Sequence, residues 1–160
     1  MVLMKKLFPL LVLALSLWTA RAADLSWQSD LNAALAQARK ENKAVLLDFS
    51  GSDWCSTCIR LRQQILDAPA FTSYASNKLV LVLVDFPVHK KLPEAQEKAN
   101  LSLKDALEVN GFPTLVVLNA KGKKIAALDY DDATPKARRL YSDESPQALV
   151  AQLKKILKGR

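Results

Sequence analysis

The chain has 160 residues, half of them hydrophobic, and a formal charge of +7. Its basic residues are scattered in modest clusters without interleaved aromatic residues, which argues against a nucleic-acid-binding stripe. With two cysteines and one histidine, the sequence lacks the four ligands that a tetrahedral zinc site needs. The sequence shows no repeats or low-complexity tracts, so it predicts a single globular domain.

The first residues have the pattern of a secretory signal peptide. Lys5 and Lys6 precede an apolar run over residues 7–18, and Ala20 and Ala22 are the small residues of a cleavage site before Ala23. The run is too short to span a bilayer, which takes about 20 residues. We therefore expect a signal peptide over residues 1–22, a domain over 23–160 with no membrane anchor after cleavage, and a periplasmic or secreted protein.

Predicted helices and strands alternate along the rest of the chain. The helices are expected at 29 or 30 to 41, 55–67, 70–76, 93–109 (with a possible break near residue 100) and 145–157, and the strands at 44–49, 79–84, 114–118 and 123–128. Residues 79–84 are all Leu or Val, which is typical of a strand buried on both faces. This order predicts an α/β fold with a mixed central β-sheet covered by helices on both faces.

Cys55 and Cys58, the only cysteines, lie between a predicted strand and a predicted helix. A disulfide that closes so small a loop stabilises a fold very little, so a purely structural role is disfavoured. A helix N-terminus presents free N–H groups and partial positive charge, and both lower the pKa of the first cysteine. The spacing and position therefore favour redox chemistry.

A second motif, Gly111-Phe112-Pro113-Thr114, directly precedes a predicted strand. Proline is tolerated at a strand's first residue because its missing N–H falls outside the ladder. Together with Trp54-Cys55-x-x-Cys58, the element order and the final hairpin and helix, this motif resembles the thioredoxin superfamily over essentially the whole chain after residue 22. Residues 48–55 are most similar to those of small secreted bacterial thioredoxin-domain proteins.

The resemblance implies a role for each motif residue. Cys55 would be the exposed nucleophile and Cys58 the buried resolving thiol, with Pro113 a cis-proline facing them. The backbone of Phe112 would pair with an extended substrate, with Thr114 beside it. Trp54 is either a substrate platform or a partly buried neighbour of the disulfide. The resemblance calls for no metal and no cofactor.

Asp48 resembles the buried acid that exchanges a proton with the second sulfur in thioredoxins. Seven positions separate it from Cys55, one more than in thioredoxins. An extra residue in the loop 50–53 keeps Asp48 facing inward, whereas one in the strand turns it outward, and a third interpretation is an Asp satisfied by backbone N–H groups. Leu81 stands where thioredoxins often place a lysine, so an inward carboxyl is expected to have a pKa raised by burial.

Two further segments carry weaker expectations. His89, the only histidine, is expected in a solvated loop over residues 88–91, away from the cysteine turn. Residues 129–144 exceed what a compact connection between strand and helix needs, and they are expected to form either one wall of a substrate groove or an ordinary surface excursion.

These features predict a secreted, monomeric thiol–disulfide oxidoreductase that acts on protein disulfides or dithiols with a separate redox partner. A reductant is favoured over an oxidant, because Ser56-Thr57 places no histidine beside Cys55. One alternative is a copper or metallochaperone domain, but Met1 and Met4 leave with the signal peptide and no thioether remains. The other is a non-catalytic peptide-binding module, against which the intact cysteine pair argues.

Overall fold

The computed structural model describes residues 25–129 and 145–159. The strands are β1 Trp27–Gln28, β2 Ala44–Ser50, β3 Leu79–Asp85, β4 Thr114–Leu118 and β5 Lys124–Asp129. The helices are α1 Leu31–Glu41, α2 Ser56–Leu61 with a π-helical continuation over Arg62–Leu66, α3 Pro69–Lys78, α4 Glu94–Ala106 and α5 Pro146–Lys158. The expected signal peptide and its cleavage position, and residues 130–144, lie outside the described residues.

The five strands form one mixed sheet in the order β1-β3-β2-β4-β5. β3 is parallel to both of its neighbours, whereas β4 is antiparallel to both β2 and β5. The predicted mixed sheet and the β4–β5 hairpin are therefore confirmed. Strand β3 is flanked on both sides and mostly buried, as its run of Leu and Val predicts.

Helices cover both faces of the sheet. On one face, Leu46, Leu81 and Leu115 pack with buried residues of α2, α3 and α5. On the other face, Val45 and Leu47 pack with residues of α1 and α4. The side chains of β2 therefore alternate between two apolar layers, as expected for a strand in the middle of a three-layer domain. Within the described ranges, no helix combines the length and the apolar character that crossing a bilayer requires.

Several boundaries differ from the predictions. The sequence analysis missed β1, which has two residues and pairs Trp27 with Leu81, because so short a strand has no periodicity to detect. Helix α4 runs unbroken through Asn100 but ends at Ala106 rather than residue 109, since Glu108 has a left-handed φ of 57°. The π-helical turn after α2 is also a feature that the amphipathic pattern did not indicate.

Two loops are held together at the carboxyl ends of β2 and β3. Because the two strands are parallel, both chains leave the sheet at the same edge, where Phe86 N–H donates to Ser50 O at 2.8 Å. The buried side chain of Asn100 on α4 donates through Nδ2 to Asp85 O at 2.8 Å. The loop after β3 is thereby fixed between the cysteine turn and α4.

Candidate active site

Cys55 and Cys58 are joined by a disulfide at the start of α2. Cys55 is the N-cap residue, and its Sγ accepts a hydrogen bond from Cys58 N–H at 3.2 Å. The exposed fraction of Cys55 is 9%, against 2% for Cys58. The first sulfur is therefore the more accessible, and it is the one held against the positive end of the helix.

The Phe112–Pro113 peptide bond is cis, as the resemblance implies. Pro113 is buried directly before β4, and Thr114 Oγ1 donates to Gly111 O at 2.8 Å, which closes the turn. The two sequence motifs meet through their aromatic residues, since the ring centroids of Trp54 and Phe112 lie 6.1 Å apart in an edge arrangement.

An aromatic cluster of Trp54, Phe86 and Phe112 lies beside the disulfide. Phe86 stacks on Phe112 with ring centroids 5.0 Å apart, and Trp54 Nε1 donates to Phe86 O at 2.7 Å. Trp54 is 46% exposed, so its ring lies at the surface next to Cys55. The sequence analysis missed Phe86, because only the parallel pairing of β2 and β3 brings it to this edge.

Gly51 makes room for the Trp54 ring. A Cβ at position 51 would lie 2.6 Å from Trp54 Nε1 and 2.7 Å from Cζ2, closer than real contacts allow. Any side chain there would therefore displace the indole, and with it the hydrogen bond to Phe86.

Asp48 faces inward, toward the helix that carries the cysteines. Its strand pairs with β3 without interruption from Ala44 to Ser50, so the extra residue lies in the following loop. Asp48 shares the face of Leu46, and it is 2% exposed. Its Oδ1 has no hydrogen-bond partner among the described residues, so the interpretation of a carboxyl satisfied by backbone N–H groups does not hold for this oxygen.

Burial raises the pKa of Asp48 to about 7, while the positive charge of Arg62 pulls it down and the negative charge of Asp85 pushes it up. The expected upward shift is therefore confirmed. A carboxyl with this pKa exchanges protons near neutral pH, which is the property that a general acid or base needs.

Arg62 is the basic residue whose charge reaches Asp48, and the sequence analysis missed it. It lies one helical turn after Cys58, and its guanidinium stacks 3.9 Å from the ring centroid of Trp27 on β1. Trp27 pairs with Leu81, the position where thioredoxins often place a lysine. The positive charge thus comes from the helix rather than from the strand.

The two loops at this edge are joined by carboxylates. Ser52 donates to Asp85 through N–H at 2.9 Å and through Oγ at 2.6 Å, and Lys90 Nζ lies 3.2 Å from Asp85 Oδ2. Asp53 accepts the N–H groups of Val88, His89 and Lys90 at 2.9, 2.8 and 3.2 Å.

These contacts correct one expectation. The sequence predicts a loop over residues 88–91 that lies away from the cysteine turn, but Asp53, two residues before Cys55, binds the N–H groups of residues 88–90. Desolvation alone would raise the pKa of Asp53, but the N–H donors of Val88 and His89 outweigh it and lower the pKa. His89 itself is exposed, as predicted.

Comparison with known proteins finds thioredoxin-like relatives. A sequence profile described as a thioredoxin-like domain matches residues 31–134. The disulfide bond reductase DsbH of Chlamydia pneumoniae is 40% identical over 110 residues, which cover 69% of this chain and 66% of that protein. The thioredoxin-related protein DsbJ of the same organism is 31% identical over 75% of this chain and 36% of its own length.

A solved structure named DsbH oxidoreductase superposes with a TM-score of 0.72 at 35% identity, covering 87% of this chain and 88% of that one. The chain therefore spans most of this solved structure, but 66% of the full DsbH sequence and a smaller share of DsbJ.

The buried Asp48 should make stability depend on pH. Its pKa is about 7 in the folded protein, against an ordinary value of 3.8 for an aspartate. Between these two pH values the folded state keeps a proton that the unfolded chain loses. The free energy of unfolding should fall as pH rises from about 4 to about 7, by at most about 4 kcal/mol. Asp48→Asn should remove this slope in denaturation series, while Asp67→Asn, at an exposed site, should keep it. Equal slopes for wild type and Asp48→Asn would contradict the assignment.

Arg62→Gln should raise the pKa of Asp48 further, because it removes the positive charge of Arg62, which lowers that pKa. Arg62→Lys should keep more of the effect. Arg60→Gln is the matched control, since Arg60 lies on the same helix but is exposed. Titration of the Asp48 carboxyl carbon by NMR measures all three. A shift in the Arg60 variant as large as in Arg62→Gln would show a general charge effect instead.

Proposed function

Because the chain belongs to the thioredoxin-like domain family and carries a redox-active cysteine pair, we propose that it is a thiol–disulfide oxidoreductase that reduces disulfides of proteins outside the cytoplasm. The observation that carries the proposal is the Cys55–Cys58 disulfide at the first turn of α2, with the Trp54–Phe112 contact linking it to the cis-proline turn. The signal-peptide pattern of residues 1–22 supports the location.

In the reducing direction, the Cys55 thiolate attacks one sulfur of a substrate disulfide. The substrate S–S bond breaks, the sulfur that is not attacked leaves as a thiolate that takes a proton, and a mixed disulfide joins Cys55 to the attacked sulfur. Cys58 then attacks Cys55 Sγ, which releases the second substrate thiol and closes Cys55–Cys58. Two electrons pass to the substrate, and a separate dithiol partner restores the reduced pair.

Cys55 is favoured as the nucleophile by its exposure and its hydrogen bond. It is the more accessible sulfur, and the Cys58 N–H donates to it at the helix N-terminus. Asp48 is suited to accept the proton of the Cys58 thiol, because its pKa of about 7 leaves a useful fraction ionised at neutral pH. Asp48 and the helix α2, which begins at the two cysteines, lie on the same face of the sheet.

The substrate would bind beside the cis-proline turn. Phe112 lies two residues before β4, which begins at Thr114. An extended peptide can pair with the Phe112 backbone as a short added strand. The half-exposed ring of Trp54 provides an apolar platform next to the attacking sulfur.

The reducing direction rests on how the Cys55 sulfur is stabilised. Strong oxidants owe their power to a stabilised reduced form. Among the described residues, the hydrogen bond that reaches Cys55 Sγ comes from one backbone N–H, and Ser56-Thr57 supplies no cationic side chain. The relative named a disulfide bond reductase agrees with this direction.

The two cysteines should differ in trapping. Cys58→Ser should accumulate mixed disulfides on Cys55, because the resolving thiol is missing, whereas Cys55→Ser should trap almost none. Non-reducing gels after incubation with oxidised proteins measure the adducts, and the doubly substituted protein is the control. Similar trapping by both single variants would overturn the division of roles.

The reduction potential decides the direction. We expect Cys55–Cys58 to lie closer to about −270 mV, typical of a reductant, than to about −120 mV, typical of an oxidant. Equilibration of the protein without residues 1–22 in glutathione or dithiothreitol buffers gives the value. A potential near the oxidising value would still be that of a thiol–disulfide oxidoreductase, but the protein would then oxidise dithiols instead of reducing disulfides.

A further inference from the structure

Arg62 is a charged residue on the apolar side of the helix that carries the cysteines. The Arg62 N–H donates to Cys58 O, four residues back, so the two side chains lie on the same side of the helix. An amphipathic helix places apolar residues at this spacing. The buried residues of the helix and its continuation are Cys58, Leu61, Ile65 and Leu66. A positive charge at such a position is costly unless it has a partner.

The helix also changes its hydrogen-bonding pattern at Arg62. It is π-helical from Arg62 to Leu66, and Asp67 N–H donates to Arg62 O at 2.9 Å. Single π-helical turns within α-helices are rare and are frequent at functional sites. The irregular turn therefore begins at the charged residue, next to the redox pair.

Trp27 holds the Arg62 side chain at the edge of the layer that contains Asp48. The guanidinium carbon lies 3.9 Å from the centroid of the indole, which is a cation–π stack. Trp27 pairs with Leu81, and Leu81 pairs with Leu46, so these residues form one row across three strands. Asp48 follows Leu46 by two positions in β2 and therefore shares its face.

Two opposite charges thus lie in this layer without a direct bond between them. Asp48 Oδ1 has no hydrogen-bond partner within the described ranges. There the Arg62 guanidinium stacks on Trp27 and makes neither an ion pair nor a side-chain hydrogen bond. Burial raises the pKa of Asp48 to about 7, and the charge of Arg62 opposes that rise. Because the attraction acts through space, its strength depends on where Trp27 holds the guanidinium.

The elements around Asp48 supply one more charge that acts on it. Asp85, at the end of β3, raises the pKa of Asp48, and Lys90 lies 3.2 Å from Asp85 and offsets its charge. On β4 the residue opposite Asp48 is Leu115. In the reduced protein the thiols at the start of α2 can also titrate. The buried residues of α5 are apolar, namely Leu149, Val150 and Leu153.

We propose that Trp27 and Arg62 are a pair of positioning residues for the step in which Cys58 attacks the mixed disulfide. Trp27 holds the guanidinium where its charge keeps Asp48 a carboxylate, the form that takes the proton of the Cys58 thiol. This rests on the proposed function. The proton passes from Cys58 Sγ to Asp48, Cys58 Sγ bonds to Cys55 Sγ, and the bond between Cys55 and the substrate sulfur breaks. The substrate leaves as a thiolate, and Asp48 then returns its proton to solvent.

Arginine suits this position for two reasons. Its planar guanidinium stacks on an aromatic face, and it stays charged throughout the pH range in which Asp48 titrates. Lysine at the same place would be a more strongly hydrated point charge. The pair also gives the short strand β1 a function, since β1 carries Trp27 to this layer.

Substitution of Trp27 tests the pair through the pH dependence of the resolving step. Trp27→Leu removes the ring but keeps an apolar side chain. It should raise the midpoint of the pH profile by at least about half a unit, which lowers the rate about threefold on the acid side. Trp27→Phe is the matched control, because it keeps an aromatic face and should stay near the wild type. The decay of the mixed disulfide with a peptide disulfide, followed by acid quenching, gives the rates.

A tryptophan with a merely structural role would behave differently. In the Arg62→Gln background, Trp27→Leu should cause no further shift of the midpoint, because Trp27 acts through the guanidinium. Equal shifts with and without Arg62 would overturn the pair. So would an unchanged midpoint in Trp27→Leu, or a shift in Trp27→Phe as large as in Trp27→Leu.

A titration of the reduced wild type needs no substitution, so it covers the case in which Trp27→Leu does not fold. The side-chain NMR signals of Arg62 should change with the same midpoint as the carboxyl carbon of Asp48, because the two charges interact. Arg62 signals that do not change across the titration of Asp48 would overturn the pair even in an active protein. If the wild type reduced no peptide disulfide, the proposed function and the role in the resolving step would fail, although a shared midpoint would still show the coupling.

Discussion

The parallel pairing of β2 with β3 is the constraint on which the site depends. It makes both strands leave the sheet at one edge, so that the cysteine turn and the loop after β3 lie side by side. The same register sets Asp48 and Asp85 on one face, and the negative charge of Asp85 raises the pKa of Asp48. Without this pairing, neither the aromatic cluster nor the bond from Asp53 to the second loop could form.

Three carboxylates near this edge behave differently because their surroundings differ. Asp85 has hydroxyl, N–H and ammonium partners, and Asp53 has three backbone N–H donors. Asp48 is buried and has an oxygen without a partner in the described structure. Two carboxylates thus hold the loops, and the third is left in the state that proton transfer requires.

The sequence predicts the parts of the site that local patterns encode. Cys55, Cys58 and Pro113 stand in recognisable motifs, and the inward direction of Asp48 follows from strand alternation once the extra residue is assigned to the glycine-containing loop. Phe86, Arg62 and Val88 could not be found in this way. Each acquires its place through a contact with a residue at least 26 positions away, such as Arg62 with Trp27 or Val88 with Asp53. The misplacement of residues 88–91 has the same cause, because nothing near them in sequence indicates that a carboxylate will bind their N–H groups.

The pKa of Asp53 and the pKa of Asp48 are shifted in opposite directions, so acidification affects the two carboxyl groups differently. The pKa of Asp53 is lowered, so its bonds to the loop persist as the surroundings acidify. Asp48, with a pKa of about 7, is already mostly protonated in mild acid and loses its capacity to accept a proton. Under the proposed mechanism, acidification outside the cytoplasm would slow the attack of Cys58 on the mixed disulfide, so that substrates would stay disulfide-linked to Cys55 for longer.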